Sequence, residues 1–164
     1  MTEGWLDGVS DEVVRQAVQT GFAYQVFWNC PIEKHLWWIV PTLVMPAIAV
    51  RQTAFGFSGV GIPKAFMTWA YLSDEVTQDL AAKNDRPLRI DEWNEGTNLW
   101  IMTLLAQPGY SLPFLRAALP KIPHSGVIRA VRRGPNWSAE RIVTCRLSHC
   151  WSASSQHEMR VLLP

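Results

Sequence analysis

The stretch that decides the fold runs from Pro63 to Gly109. It opens Pro63-Lys-Ala-Phe-Met-Thr-Trp-Ala-Tyr-Leu-Ser73, passes through a charged segment to Trp93-Asn-Glu-Gly96, and closes Asn98-Leu-Trp-Ile-Met-Thr-Leu-Leu-Ala-Gln-Pro-Gly109. Residues 64–72 are apolar, of strand length and bounded by turn residues, so they read as a β-strand. Residues 99–106 are continuously apolar and read as a strand buried on both faces in the middle of a sheet. Between them, Ser73-Asp74-Glu75 is an N-cap followed by first-turn acids, which predicts a helix to about residue 82. Residues 89–96 are polar and are assigned no regular structure.

Outward from this stretch, residues 52–57 predict a further strand, closed by the turn Ser58-Gly-Val-Gly61. Ser10-Asp11-Glu12 caps a first helix that Gly21 is expected to end, and residues 22–29 form a short helix or connector. The run His35-Leu-Trp-Trp-Ile-Val40 predicts a buried helix that Pro41 kinks or restarts and Pro46 bends or ends. On the C-terminal side a helix spans 111–119, with Pro113 in its first turn, and strands span 126–132 and 141–147. The tail after His149 is ambiguous. Helices, two strands, helix, strand, helix and two strands make an α/β (α+β) fold, a mixed sheet with helices packed on both faces. The strand–helix–strand unit from 99 to 132 should place its two strands side by side and parallel.

With 164 residues, 48% of them hydrophobic and 18% charged, the chain is expected to fold as one domain with a substantial core. Residues 1–30 then form a helical lead-in and 148–164 a variable tail. Fifteen basic and 14 acidic residues leave a net charge of +1, which gives no case for nucleic acid or a membrane surface as partner. The three cysteines, Cys30, Cys145 and Cys150, are an odd number without paired spacing, so no disulfide framework is expected and a reducing cytoplasm fits. The N-terminus has no secretory-signal pattern. The longest apolar run, 36–50, is interrupted by two prolines and too short to span a bilayer.

An ordered set of short motifs resembles a known family. These are Pro46-Ala-Ile48, the strand end Thr68-Trp-Ala-Tyr-Leu-Ser73, Trp93 with Gly96, Ala106-Gln-Pro-Gly109, and Ile128-Arg-Ala-Val-Arg132. Over roughly residues 31–133 their order and spacing are similar to those of the lysine acyltransferases that activate RTX protoxins. The resemblance implies a GNAT-like fold, an acyl carrier protein carrying a phosphopantetheine thioester as donor substrate, no bound cofactor, and a lysine ε-amine of an acceptor protein as nucleophile. It also implies a homodimer.

Attack of an amine on a thioester needs a base, donors for the tetrahedral oxyanion, and a groove for the acyl chain. The family's essential histidine follows a Ser-Pro-Leu step. Cys30-Pro-Ile-Glu-Lys-His35 stands at that place, and His35 is the only histidine in the first 120 residues, so it is the expected base. It lies three residues closer to Pro46 than the family pattern has it, almost one helical turn. The family's second catalytic residue is an aspartate in the central strand, and Thr103 occupies that position. A threonine exchanges hydrogen bonds but supplies no counter-charge to a histidine. The acidic residues Asp91, Glu92 and Glu95, a short way before Thr103 in sequence, are the candidates to orient the base instead. On the matched motifs, substrate binding is expected of Trp69, Trp100, Met102, Ala106, Gly109 and Arg129. By simple alternation Trp100, Met102 and Leu104 share one face of the strand, and Ile101, Thr103 and Leu105 the other, either set equally consistent with plain core.

The turn Gln107-Pro-Gly-Tyr110 has a single glycine, a poor cradle for the pyrophosphate of coenzyme A, which favours a carrier-protein donor. Arg116, Lys121, Arg129, Arg132 and Arg133 form a local basic excess that suits an acidic carrier. Cys145-x3-His149-Cys150, even with His124 and His157, lacks a zinc-ligand pattern, and no metal is expected. Cys30, ahead of a helix, is a secondary nucleophile candidate. The alternatives to protein-lysine fatty acylation are a GNAT-like enzyme with another amine acceptor, and a catalytically impaired acyl-carrier or lipid-binding relative.

Overall fold

The computed structural model describes residues 10–30, 36–82, 86–134, 139–146 and 159–163. Its first element, α1 (Asp11–Trp28), starts where Ser10 accepts a hydrogen bond from the Val13 N–H and Asp11 and Glu12 meet the positive helix end. It runs through Gly21 to Trp28, so the expected break does not occur. Glycine costs a helix about 1 kcal/mol. Burial of Ala23, Val26 and Phe27, all at most 1% exposed, outweighs that, since one fully buried Val or Phe is worth about 1.5–3 kcal/mol. Phe27 meets Phe66 edge-on at 5.8 Å.

The proline-rich segment forms α2 (Leu36–Ile39), a π-helical turn over Val40–Val44 and α3 (Met45–Ala49). Pro41 thus loosens the helix rather than ending it. The wide turn closes with the Met45 N–H on the Val40 carbonyl, and Pro46 enters α3 in its first turn, where a missing N–H costs least.

Among the described residues six strands make one sheet in the order β5-β4-β3-β2-β1-β6. They are β1 (Thr53–Phe57), β2 (Pro63–Leu72), β3 (Asn98–Ala106), β4 (Val127–Arg133), β5 (Ala139–Arg146) and β6 (Arg160–Leu162). All neighbours are antiparallel except β3 and β4, the parallel pair expected of the strand–helix–strand unit. Strand β6, in the tail left unassigned by sequence, pairs with the outer edge of β1. Helix α4 (Asp74–Ala81) follows β2, a 3-10 turn over Ile90–Trp93 replaces the expected irregular stretch, and α5 (Ser111–Ala118) joins β3 to β4 through a further 3-10 turn, Leu119–Lys121.

Two cores flank the sheet. On one face α1, the α2–α3 segment and α4 cover Phe55, Phe66, Trp100 and Met102. On the other, Phe114, Ala118 and Leu119 cover Met67, Trp69, Leu99 and Ile101. Helices therefore pack on both faces, as expected. Gly96 locks the turn beside β2: its N–H donates to the Tyr71 carbonyl, and a Cβ there would lie 2.0 Å from the Leu72 carbonyl oxygen.

Candidate active site

Strands β3 and β4 are paired at only three positions, Leu99 with Ile128, Trp100 with Arg129 and Ile101 with Ala130. Beyond Ile101 and Ala130 the strands continue without pairing, to Ala106 and Arg133. The ladder has opened, and the opening holds a cavity of about 640 Å³, within the ~300–1,000 Å³ range of small-molecule sites. Residues 101–105 of β3 and 128–133 of β4 form two walls. Leu112 and Leu115 of α5, Leu119, and Val143 and Cys145 of β5 complete it. The charged residues of this lining are Arg129, Arg132 and Arg133, and the described lining holds no carboxylate.

A β-bulge shapes the β3 wall. Thr68 of β2 pairs with Thr103 while the next residue, Trp69, pairs with Ile101, so Met102 is the extra residue. The bulge reverses the side-chain alternation beyond it. Trp100, Met102 and Leu105 lie in the core under α1, whereas Leu99 and Ile101 lie in the core under α5. The simple alternation expected from sequence therefore fails past Met102, and Leu105 joins the face of Trp100 and Met102. Thr103, 4% exposed, borders the cavity, and its hydroxyl has no hydrogen-bond partner among the described residues. It belongs to a cross-strand row, Thr53 with Thr68 and Thr68 with Thr103, whose three buried hydroxyls are all unpartnered.

The chain matches the RTX toxin acyltransferase family over residues 16–144. It is 30% identical over 118 residues to the RTX-II toxin-activating lysine-acyltransferase ApxIIC of Actinobacillus pleuropneumoniae, covering 68% of this chain and 71% of that one. It is also 30% identical over 114 residues to the leukotoxin-activating lysine-acyltransferase LktC (serotype A11) of Mannheimia haemolytica, covering 68% and 65% respectively. An uncharacterized protein of Synechocystis, sll0720, is 22% identical over 110 residues, covering 67% of this chain and 71% of that protein. This chain is a member of the RTX toxin acyltransferase family.

In this acyltransferase the structure brings together Thr103, Met102 and Arg129 at the cavity. Arg129 donates from Nη1 to the Asn98 side-chain oxygen at 3.1 Å, near the closed end of the splay. Trp69 and Trp100 are instead core residues, 5% and 0% exposed, and the Trp100 indole donates to Thr77 at 3.2 Å. Ala106 and Gly109 lie past the described lining, Gly109 with φ +85 in the turn before α5. His35 lies outside the described residues. The carboxylates offered as candidates to orient it are engaged elsewhere. Asp91 pairs with Arg89, Glu92 accepts from Arg86 at 2.7 and 2.8 Å and from the Arg89 N–H, and Glu95 accepts from the Ser73 hydroxyl. Glu92 and Glu95 border a separate polar cleft with Arg86, Arg89 and α4.

Two cysteine expectations change. Cys30 is buried and its thiol is pushed up by desolvation, the opposite of an activated nucleophile. Cys145 is disulfide-bonded, which the odd cysteine count did not anticipate, and its partner lies outside the described residues. His124 accepts the Gly126 N–H at 2.9 Å, while His149, Cys150 and His157 lie outside the described residues. Among the described residues no cluster of three or more His, Cys, Asp or Glu side chains is arranged to hold a metal, and no helix is long and apolar enough to cross a membrane. Sequence reasoning missed the apolar lining from α5 and β5. The spacing of Leu112, Leu115 and Leu119 marks a helix face, but a periodicity does not distinguish a face against core from one against a cavity.

Proposed function

We propose that this acyltransferase moves a fatty acyl group from the phosphopantetheine thioester of acyl carrier protein to a lysine ε-amine of an acceptor protein. The observation that carries the reading is the apolar cavity in the β3–β4 splay, a place where pantetheine and acyl chain can lie between two strands as in a GNAT-like sheet. The amine nitrogen attacks the thioester carbonyl carbon, the tetrahedral oxyanion collapses, and the pantetheine sulfur leaves with a proton. Guanidinium groups around an otherwise apolar lining favour the negative charge of that intermediate. His35 is the proposed base. Arg129, Arg132 and Arg133 line the cavity and, with Arg116 and Lys121 of the α5 end, suit an acidic carrier. Two relatives named as toxin-activating lysine-acyltransferases support a protein lysine as acceptor. Homodimerisation and a cytoplasmic site of action belong to the same proposal.

One observation favours a second reading, a catalytically impaired relative. The described cavity lining holds no carboxylate, and on the motif resemblance Thr103 takes the place of the family's aspartate. Intact-mass measurement of a candidate acceptor after incubation with acyl-loaded carrier separates the two. A gain of one acyl mass that disappears in His35→Ala supports the enzyme. A gain that survives His35→Ala moves the base elsewhere. No gain with the wild type but a gain with Thr103→Asp supports the impaired relative, since a restored base partner is worth about 10²–10⁴ in rate.

A further inference from the structure

We propose that the disulfide at Cys145 is a site of thiol–disulfide exchange, and that its substrate is the pantetheine thiol which acyl transfer releases in the cavity. Cys145 belongs to the described cavity lining, and it is disulfide-bonded. The chain has three cysteines and Cys30 is free, so the other half of the bridge is Cys150. The wall of the cavity therefore carries a sulfur open to nucleophilic attack, and the transfer reaction produces a thiol nucleophile in that same cavity. The inference rests on the reading of the cavity as the site of pantetheine and acyl chain, and adds to it a covalent step.

Strand register puts this sulfur on the cavity side. Cys145 pairs with Ile128 and Val143 with Ala130, and residues directly opposite or two apart share a face of a sheet. All four line the cavity, so the Cys145 side chain stands on the lining face of β5. It is half-buried, and β5 is the outermost strand of the described sheet. The bridge spans only residues 146–149, and a short loop constrains the unfolded chain less than a long one. A bridge that is both short and reachable is of the labile rather than the inert structural kind. Cys30 does not compete, since it is buried away from the lining and desolvation pushes its thiol pKa up. In the exchange the pantetheine thiolate attacks Sγ of Cys145. The Cys145–Cys150 bond breaks, a bond between Cys145 and pantetheine sulfur forms, and the proton given up by the pantetheine thiol ends on the Cys150 sulfur. One disulfide replaces another, so no external oxidant enters. The adduct blocks the cavity with the enzyme's own product, and a second thiol reverses it.

The test is intact mass and non-reducing peptide mapping of the full chain, purified without reductant and incubated anaerobically with pantetheine or with glutathione, beside the acyl-transfer assay on the same preparation. Thiol titration of the denatured protein should first count a single free thiol, that of Cys30, and a count of all the cysteines would overturn the inference. Pantetheine should add once, at Cys145, at least about tenfold faster than glutathione at equal thiol concentration and pH, because the cavity holds it against the sulfur. Dithiothreitol should remove the adduct. Cys145→Ser and Cys150→Ser should each abolish it, since neither variant keeps a bridge to exchange. No adduct, an adduct on Cys150 alone, or equal rates with the two thiols would overturn the inference. Transfer without exchange defeats this inference and leaves the proposed function standing. Exchange without transfer does the reverse.

Discussion

At the scale of single residues, the least expected feature is the threonine row. Thr53, Thr68 and Thr103 each bury a hydroxyl without a partner among the described residues, and such a group costs about 1–3 kcal/mol. Thr68 is fully buried and is not part of the cavity lining. Thr68→Val should therefore raise unfolding free energy by about 1 kcal/mol in denaturant titration. A loss of stability would mean that Thr68 has a partner after all. Glu92 makes the opposite case, a buried carboxylate fully answered by Arg86 and the Arg89 N–H. The Arg86 guanidinium, more than any other neighbour, holds its pKa below the ordinary carboxylate range. Its folded pKa being the lower one, its contribution is complete above the unfolded pKa of about 4.3 and fades as pH falls through the depressed folded value. Glu92→Gln should lower stability at pH 7 and flatten its pH dependence below about pH 5, read from denaturation midpoints between pH 2 and 7. These residues were readable by type but not by circumstance. Thr103 was found by its place in a motif, whereas its lack of a partner depends on what β2 and β4 bring beside it.

Among elements, the turn after β2 and the bulge in β3 set the geometry of the site. Gly96 has no room for a Cβ against the backbone of Leu72 and Ser73. Because backbone cannot yield as a side-chain tip does, Gly96→Ala should destabilise by about 3 kcal/mol or more, at the upper end of overpacking costs. Thermal unfolding checks this, and a near-neutral result would refute the close approach. The strands of the central stretch were legible because their apolar runs are long and bounded by turn residues. The length of α1 was not, because a glycine predicts a stop only where burial on its far side is weak. The bulge was illegible too: one extra residue leaves composition unchanged and shows itself only through the partner's register.

For the molecule as a whole, function depends on a failure of pairing. Strands β3 and β4 part after three pairs, and the gap is enclosed by α5 and β5. Ala130 sits at the last pair and lines the gap. Ala130→Phe should narrow the floor, cut transfer of long acyl chains by at least about tenfold and spare short ones, since each excluded methylene carries about 0.8 kcal/mol of binding. A chain-length series in the transfer assay measures it, and equal losses at all lengths would place the chain elsewhere. The amino-acid sequence by itself determined the order of the strands β1 to β5 and of the helices between them, the mixed sheet with helices on both faces, and the family. Those follow from local periodicity, capping and motif order, which a chain carries in one dimension. Only the tertiary structure decided that Trp69 and Trp100 are core while Met102, Thr103 and Arg129 share a cavity, and that β6 returns to β1. These are contacts between distant segments, where register, splay and burial are set jointly by both partners and neither one's sequence records the outcome.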